Sequence, residues 1–254
     1  MNILLLGYGK MGKAIEAVSL TRGHQIAGRI NQNNRADLDA LTDAAVDVVI
    51  EFSSPESVVE NLHYCIRRGW PVVCGTTGWL AQQAEIEATV WERGSAFFYA
   101  SNYSIGVNLF FRLNKTLAKL MHPYPGYQVS MTEIHHTEKK DAPSGTAITL
   151  AEDLLDNLPL KNRWIVSEAG KPIENDATNA VVIDSIREGN VPGTHVVRYE
   201  SEVDRIEIAH VAHSRQGFAV GAVVAAEWLA GRQGVFGMDD LLGKFPGEFS
   251  EEAP

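Results

Sequence analysis

The segment Gly7-Tyr8-Gly9-Lys10-Met11-Gly12 lies directly behind the short, mostly apolar stretch Asn2–Leu6 and directly ahead of a helical pattern. That placement restricts the fold more than any other feature of the chain. Asn2–Leu6 reads as a buried parallel strand. Met11, Ala14, Ile15 and Val18 form the apolar stripe of a helix, closed at Arg22-Gly23. A G-x-G-x-x-G turn joining such a strand to such a helix lets the backbone approach a pyrophosphate. It also turns the positive end of the helix toward that charge. Alone the motif would be a weak signal; with both flanking elements present it predicts a dinucleotide-binding βαβ unit.

Strand–helix alternation continues through the first hundred residues. His24–Ile30 and Asp47–Phe52 read as the second and third strands, Pro71–Cys74 and Ala96–Ala100 as the fourth and fifth. Ser54 is expected to cap a helix with Pro55 at its first position, and Val58, Val59, Leu62 and Ile66 to form its buried face. Ala81–Gly94 supplies another helix. The alternation predicts a doubly wound parallel sheet. In such a sheet the carboxyl ends of the strands line the ligand crevice. Phe52-Ser53 and Gly75-Thr76-Thr77 stand there, with amides and hydroxyls suited to a ribose and a nicotinamide amide. About 20 residues after the glycine motif, where an acidic side chain usually reads the ribose, the chain has Ile30-Asn31-Gln32. Asn31 can bond a 2′-hydroxyl without repelling a 2′-phosphate, and Arg29 or Arg35 could reach such a phosphate. NADH and NADPH are both compatible with this pattern.

After Ala100 the pattern changes. Ser104 precedes a helix carrying Val107, Phe110, Phe111, Leu113, Leu117 and Leu120, and Tyr127–His136 is a long strand. Thr146–Leu158 is amphipathic and helical. Ala180–Arg187, Thr194–Ser201 and Arg205–Ala212 read as strands joined by turns at 188–190 and 202–204, which predicts a mixed, largely meander sheet in a second, α+β domain. Phe218–Leu229 returns to helix. The expected division is 1–103 plus 216–254 for the dinucleotide domain and 104–215 for a substrate-binding and oligomerisation domain. The chain would cross between them near 101–104 and 215–217, and the acidic tail after Gly243 is expected to be loose.

The chain is acidic, with a formal net charge of -10 over 254 residues, which argues against nucleic acid as a partner. Its two cysteines, Cys65 and Cys74, have no CxxC spacing and read as buried thiols of a reducing compartment. No basic leader and no run of about 20 apolar residues stands in the sequence, so the expectation is a cytoplasmic protein without a membrane span. Against this acidic background Glu133–Thr146, E-I-H-H-T-E-K-K-D-A-P-S-G-T, gathers two histidines, two lysines and a helix-opening Ser-Gly-Thr. Such a cluster suits a site that holds a dianion and moves protons. The amides of Ser144, Gly145 and Thr146 would capture a carboxylate at a helix N-terminus, with His136 adding a hydrogen bond. Lys139 and His135 would give protons, Lys140 being the rival on chemistry alone. No metal is expected, because adjacent strand residues such as His135 and His136 point to opposite faces.

These segments together resemble the 4-hydroxy-tetrahydrodipicolinate reductase (dihydrodipicolinate reductase) family. The resemblance runs from the glycine motif through Glu51–Glu56, Gly75–Gly78, Ala100–Asn108, His135–Ala147, Ser185–Gly189, Val191–His195 and His213–Arg215, in order and over almost the whole chain. It implies a Rossmann-type first domain and an oxidoreductase of lysine and diaminopimelate biosynthesis that reduces a cyclic imine-type dicarboxylate with NADH or NADPH. It further implies His135 as proton donor or acceptor and Lys139 as proton donor to the ring, which decides for Lys139 over Lys140. His136, Gly145 and Thr146 would hold a carboxylate. Gly7 to Gly12, Gly75 to Thr77, and Ala100, Ser101, Asn102 and Tyr103 would contact the dinucleotide. The family is usually a homotetramer built through the second domain's sheet. Thr137-Glu138 departs from it, standing where many members carry basic residues. Another nicotinamide dehydrogenase would keep the glycine motif without needing the His135–Thr146 segment. A non-catalytic dinucleotide sensor could dispense with His135 or Lys139.

Overall fold

The computed structural model describes residues 1–167, 177–214 and 216–243. In chain order the elements of the first half are β1 (Asn2–Leu6), α1 (Lys10–Thr21), β2 (Gln25–Ile30), β3 (Val48–Glu51), α2 (Val58–Arg67), β4 (Val72–Cys74), α3 (Gln83–Arg93) and β5 (Ala96–Tyr99). Then follow α4 (Ile105–Met121), β6 (Gln128–His135), α5 (Gly145–Asn157), β7 (Arg163–Ser167), β8 (Ala180–Arg187), β9 (Thr194–Glu200), β10 (Arg205–Val211), α6 (Gln216–Leu229), β11 (Gly234–Phe236) and α7 (Met238–Leu242). They fall into two compact units, residues 1–104 with 218 onward, and residues 105–217. Arg215 and the acidic tail beyond Gly243, singled out in the sequence, lie outside the described residues.

The first unit is a six-stranded sheet in the order β11-β5-β4-β3-β1-β2, every pair parallel. This is the doubly wound arrangement, and the chain reverses direction across the sheet between β1 and β3, where such folds open their crevice. All of β3 and β4 and all but the first residue of β1 are buried, as central parallel strands covered on both faces require. Leu4, Leu6, Val49 and Val72 share a core with Leu62 and Ile66 of α2 and Ile86 and Val90 of α3. One expected boundary moves. Ser54 does not cap α2, which starts three residues beyond Pro55 with Ser57 as the preceding residue. The Ser54 carbonyl instead accepts from Ser57 N (3.1 Å) and Val58 N (3.0 Å), closing a turn ahead of the helix. The short strand β11 and helix α7 had no counterpart in the sequence reading.

Gly221 of α6 packs against the backbone of Tyr103 so closely that an added Cβ would stand 1.7 Å from the Tyr103 carbonyl oxygen. Gly221→Ala is therefore expected to destabilise this unit by about 2–3 kcal/mol, read as a lower Tm. Gly126→Ala, whose Cβ would meet nothing within 4 Å, should leave the melt unchanged.

The second unit is a five-stranded sheet, β10-β9-β6-β8-β7. It is mixed, with β6 antiparallel to β9 but parallel to β8, and β8 parallel to β7. The expected meander is corrected here: β9 and β10 form a hairpin, but β8 and β9 are not neighbours because β6 lies between them. The connection 188–193 crosses the end of β6 and is bonded to it, Glu188 N to His135 O at 2.8 Å and Thr137 N to Gly189 O at 3.2 Å. Strand β7 was also absent from the sequence reading. Phe110, Ala118, Met121, Leu150, Ala151 and Leu154 of α4 and α5 share a core with Val129, Met131, Val181, Ile183, Val197 and Tyr199 of the strands.

Candidate functional site

In the first unit the glycine motif forms a loop in which two glycines are sterically required. Gly7 takes φ +88° and an added Cβ would stand 1.9 Å from the Phe52 carbonyl oxygen; at Gly12 it would stand 2.3 Å from the Gly7 carbonyl oxygen. Both β-carbons are excluded by backbone, so the strand, the turn and α1 can pack this tightly only with glycine there. Gly9, by contrast, faces open space and precedes α1 with no side-chain cap. The first-turn amides are thus left for a ligand. Beside them opens a cavity of about 400 Å³ lined by Gly7, Tyr8, Gly9, Asn31, Arg35 and Ser53 among others. Met11, Phe52, Ser53, Gly75, Thr76 and Thr77 line a second one of about 250 Å³. An exposed helix N-terminus with these cradles fits a dinucleotide pyrophosphate and its flanking groups.

Several predicted residues prove internally committed. The Tyr8 hydroxyl donates to Glu16, which also pairs with Arg29, so Arg29 already has a carboxylate partner. Asn31 Oδ1 accepts from Asn33 N at 2.8 Å. Arg35 lines the larger cavity, 3.4 Å from Glu60 and stacked over Tyr64. Tyr103 is buried and its hydroxyl donates to the Cys74 carbonyl at 2.7 Å. Lys10 and Ser101 are exposed, Ala100 is buried and Asn102 half-buried. Sequence reasoning gave no role to Glu51, whose fully buried carboxylate sits beneath the strand ends. It accepts from Thr76 Oγ1 (2.6 Å), Asn61 Nδ2 (3.2 Å) and Ser53 Oγ, tying together the loops after β3 and β4. Burial pushes this carboxyl up, against the pull of those donors. Cys65 and Cys74 are buried free thiols, and burial raises Cys65 to about 12.

In the second unit the inward face of the sheet changes chemistry along its strands. On β6, Val129 and Met131 give way to Glu133 and His135; on β8, Val181 and Ile183 to Ser185 and Arg187. On β9, Tyr199 and Val197 lead back to His195. Register places Glu133 between Ser185 and His195, and His135 beside Arg187. Glu133, with 0% exposure, accepts from Ser144 N (3.0 Å), Ser185 Oγ (2.5 Å) and Arg187 (3.2 Å). His135 Nδ1 lies 3.3 Å from Glu133 Oε2, an ion-pair approach without the alignment of a hydrogen bond. Burial opposes ionisation of Glu133, but His135, Ser144 and Ser185 outweigh it and hold the carboxylate well below its usual range.

Around this hub the predicted residues separate into two sets. Ser144 is the N-cap of α5: its hydroxyl accepts from Ala147 N at 3.2 Å and stands 3.1 Å from His195 Nε2. The Ser144 side chain and amide are therefore both engaged within the protein, while Gly145 is exposed and Thr146 half-buried at the helix N-terminus. Lys139 Nζ pairs with Asp141 at 2.7 Å, and Arg187 donates to the Asp141 carbonyl at 2.6 Å. Burial, with the His135 ring 5.1 Å away, pushes His195 down to about 4, and Lys139 adds to the depression. His136 is half-buried and, with Glu138, Asn190 and Pro192, lines a depression of about 250 Å³. Donor atoms of Glu133, His135 and His195 come within 4.8 Å of one another. The Arg187 guanidinium, a cation, already contacts that carboxylate, which favours a proton-handling cluster over a cation site. Glu133, Ser185, Arg187 and His195 had no role in the sequence reading. Their signal was present: each continues the inward-facing alternation of an apolar strand.

A doubly wound dinucleotide-type unit, coupled in one chain to an α+β unit carrying a His–Lys–carboxylate cluster, defines a nicotinamide-type oxidoreductase. Family models described as "Dihydrodipicolinate reductase, N-terminus" and "Dihydrodipicolinate reductase, C-terminus" match residues 1–103 and 106–242. The 4-hydroxy-tetrahydrodipicolinate reductase of Christiangramia forsetii is 47% identical over 242 residues, 95% of this chain and 98% of the relative. The enzyme of the same name from Chromobacterium violaceum is 37% identical, again over 95% and 98%. The chain belongs to the dihydrodipicolinate reductase family. A solved structure of dipicolinate-bound dihydrodipicolinate reductase from a Paenisporosarcina species shares the fold, with a TM-score of 0.74 at 20% identity over 94% of this chain and 99% of that one.

Proposed function

We propose that this chain is a 4-hydroxy-tetrahydrodipicolinate reductase: an NAD(P)H-dependent oxidoreductase giving tetrahydrodipicolinate in lysine and diaminopimelate biosynthesis. The observation that carries this is family membership along both units together with the intact His135–Lys139–Ser144 cluster. The bound nicotinamide supplies hydride. The first unit holds the dinucleotide, with the amides at Gly9 to Met11 toward the pyrophosphate and Gly75 to Thr77 toward the nicotinamide end. The second unit holds the dicarboxylate. There the amides of Gly145 and Thr146 and the His136 ring bind one carboxylate, Lys139 gives the ring the one proton that accompanies hydride, and His135 serves as a proton donor or acceptor. Dipicolinate in the Paenisporosarcina enzyme supports a small planar dicarboxylate as the ligand.

Two further features belong to this proposal. The chain acts in the cytoplasm, in line with its two unbridged thiols; among the described residues no helix is long and apolar enough to cross a membrane. It assembles as a homotetramer through the face of the mixed sheet turned away from α4 and α5. In support, that face presents Ile134, Val182, Ile186 and Val196, all short of full burial.

The test supplies substrate in place from pyruvate and aspartate semialdehyde with the preceding synthase and follows oxidation of NADH and NADPH separately. Turnover is expected with at least one. A folded protein that binds a cofactor yet turns over neither would sink the reading.

A further inference from the structure

We propose that the second unit carries a separate binding site for a small aryl monocarboxylate, in the cavity where β6 begins, with the Lys161 ammonium as its anion anchor. The cavity encloses about 340 Å³ and is walled by Tyr127, Val129, Leu158, Leu160 and Tyr199, with Lys161 in its lining. That volume lies in the range of small-molecule sites; an apolar cavity of about 150 Å³ is already enough for benzene. It is remote from the Glu133 cluster. Gln128 and Val129, which line it, open β6, whereas Glu133 and His135 close that strand, roughly 13–23 Å further on.

Lys161 makes this more than an apolar hollow. The residue is 8% exposed, and lysine is rarely buried to this degree without a partner. Its Nζ donates to two neutral oxygens, Gln128 Oε1 at 3.2 Å and the Thr178 carbonyl at 2.8 Å. An ammonium has three N–H donors, so one remains. Among the described residues no carboxylate stands within ion-pair distance of it. Burial lowers its proton affinity, with no charge among the described residues to restore it. A buried cation without a counter-ion is costly, and a carboxylate entering the cavity would relieve that cost while its ring took the tyrosine and leucine walls. An uncharged ligand would fill the same walls and leave the charge uncompensated.

The experiment is calorimetric titration of the full-length protein with benzoate and with benzamide, its neutral isostere. Benzoate is expected to bind and raise Tm, with benzamide about tenfold weaker, as loss of a charge-assisted contact predicts. Lys161→Met should abolish the preference for benzoate and Lys161→Arg should keep it. Leu160→Asp, at a 64% exposed position, adds a like charge at the rim without disturbing the core. It should weaken benzoate about fivefold or more and weaken benzamide less, since benzamide loses only the leucine contact. Benzoate that fails to bind the wild type, or binds no better than benzamide, overturns the proposal whether or not the methionine variant folds. So does a folded Lys161→Met protein that binds benzoate normally, in which case Lys161 merely ties Gln128 to Thr178.

Discussion

Lys139→Ala is expected to lower kcat on the order of 10²–10⁴-fold, the usual worth of a positioned general acid, while leaving cofactor affinity within experimental error. Lys139 belongs to the second unit, and its ammonium meets the Asp141 carboxylate at 2.7 and 2.8 Å. That pair holds Asp141 below its usual range, and it stands beside the site proposed for a dianion, where a cation is favoured. Reduction of the ring needs a proton as well as hydride, and Lys139 is the group proposed to give it. Lys139→Arg separates charge from acidity. It preserves the cation and can still pair with Asp141, but a guanidinium is effectively never deprotonated. The arginine variant is therefore expected to bind the dicarboxylate and turn over nearly as poorly as the alanine one. Wild-type turnover in the arginine variant, measured by steady-state oxidation of the reduced cofactor, would reduce Lys139 to an electrostatic contact.

How far the sequence disclosed this molecule depended on whether the information was local. The strand–loop–helix around Gly7 was legible because its signals lie within about twenty residues: a continuous apolar run, the spacing of Gly7, Gly9 and Gly12, and a period of 3.6 in α1. The long strand β6 and helices α4, α5 and α6 were legible for the same reason. The start of α2 was not, since Ser54 and Ser57 are both plausible caps and the Ser54 carbonyl, bonded to Ser57 and Val58, chooses between them. The order of the second sheet was hidden because β6 inserts between β8 and β9 from more than forty residues upstream, and chain adjacency then misleads. Three-residue β11 offers too little alternation to detect. In the site, Lys139 and the two histidines were visible as a cluster in the chain. The hub that holds them was not, because its parts come from three strands and a helix start. Glu133, Ser185 and His195 become neighbours only through the register of β6 with β8 and β9.

That hub sets the second large effect. Glu133→Gln is expected to destabilise the second unit by about 3 kcal/mol and to lower kcat on the order of 10²-fold through misorientation of His135. Every partner of this carboxylate is a donor: Ser144 N, Ser185 Oγ and Arg187. A glutamine retains one acceptor oxygen and turns an NH₂ toward groups that have nothing to accept with. Its loss also loosens both attachments of the segment carrying His136 and Lys139, since Ser144 N is bonded to Glu133 directly and Asp141 through Arg187. The effect has a signature in pH. The folded-state affinity of Glu133 for a proton is depressed below the ordinary 4.5. Its stabilisation is thus complete above 4.5 and is lost as pH falls from there through the lower folded value. His195, whose folded value of about 4 lies below its ordinary 6.5, acts at higher pH. Between 6.5 and 4 the unfolded chain binds the extra proton, so stability falls with pH across that window as well. Wild type should accordingly lose stability in two overlapping stages on acidification, and Glu133→Gln should lose less in the second, where only the other depressed carboxylates such as Asp141 still act. Denaturant melts of the two proteins across this range would show it: curves that stay parallel below pH 4.5 would mean that Glu133 is not the ionised centre of the cluster.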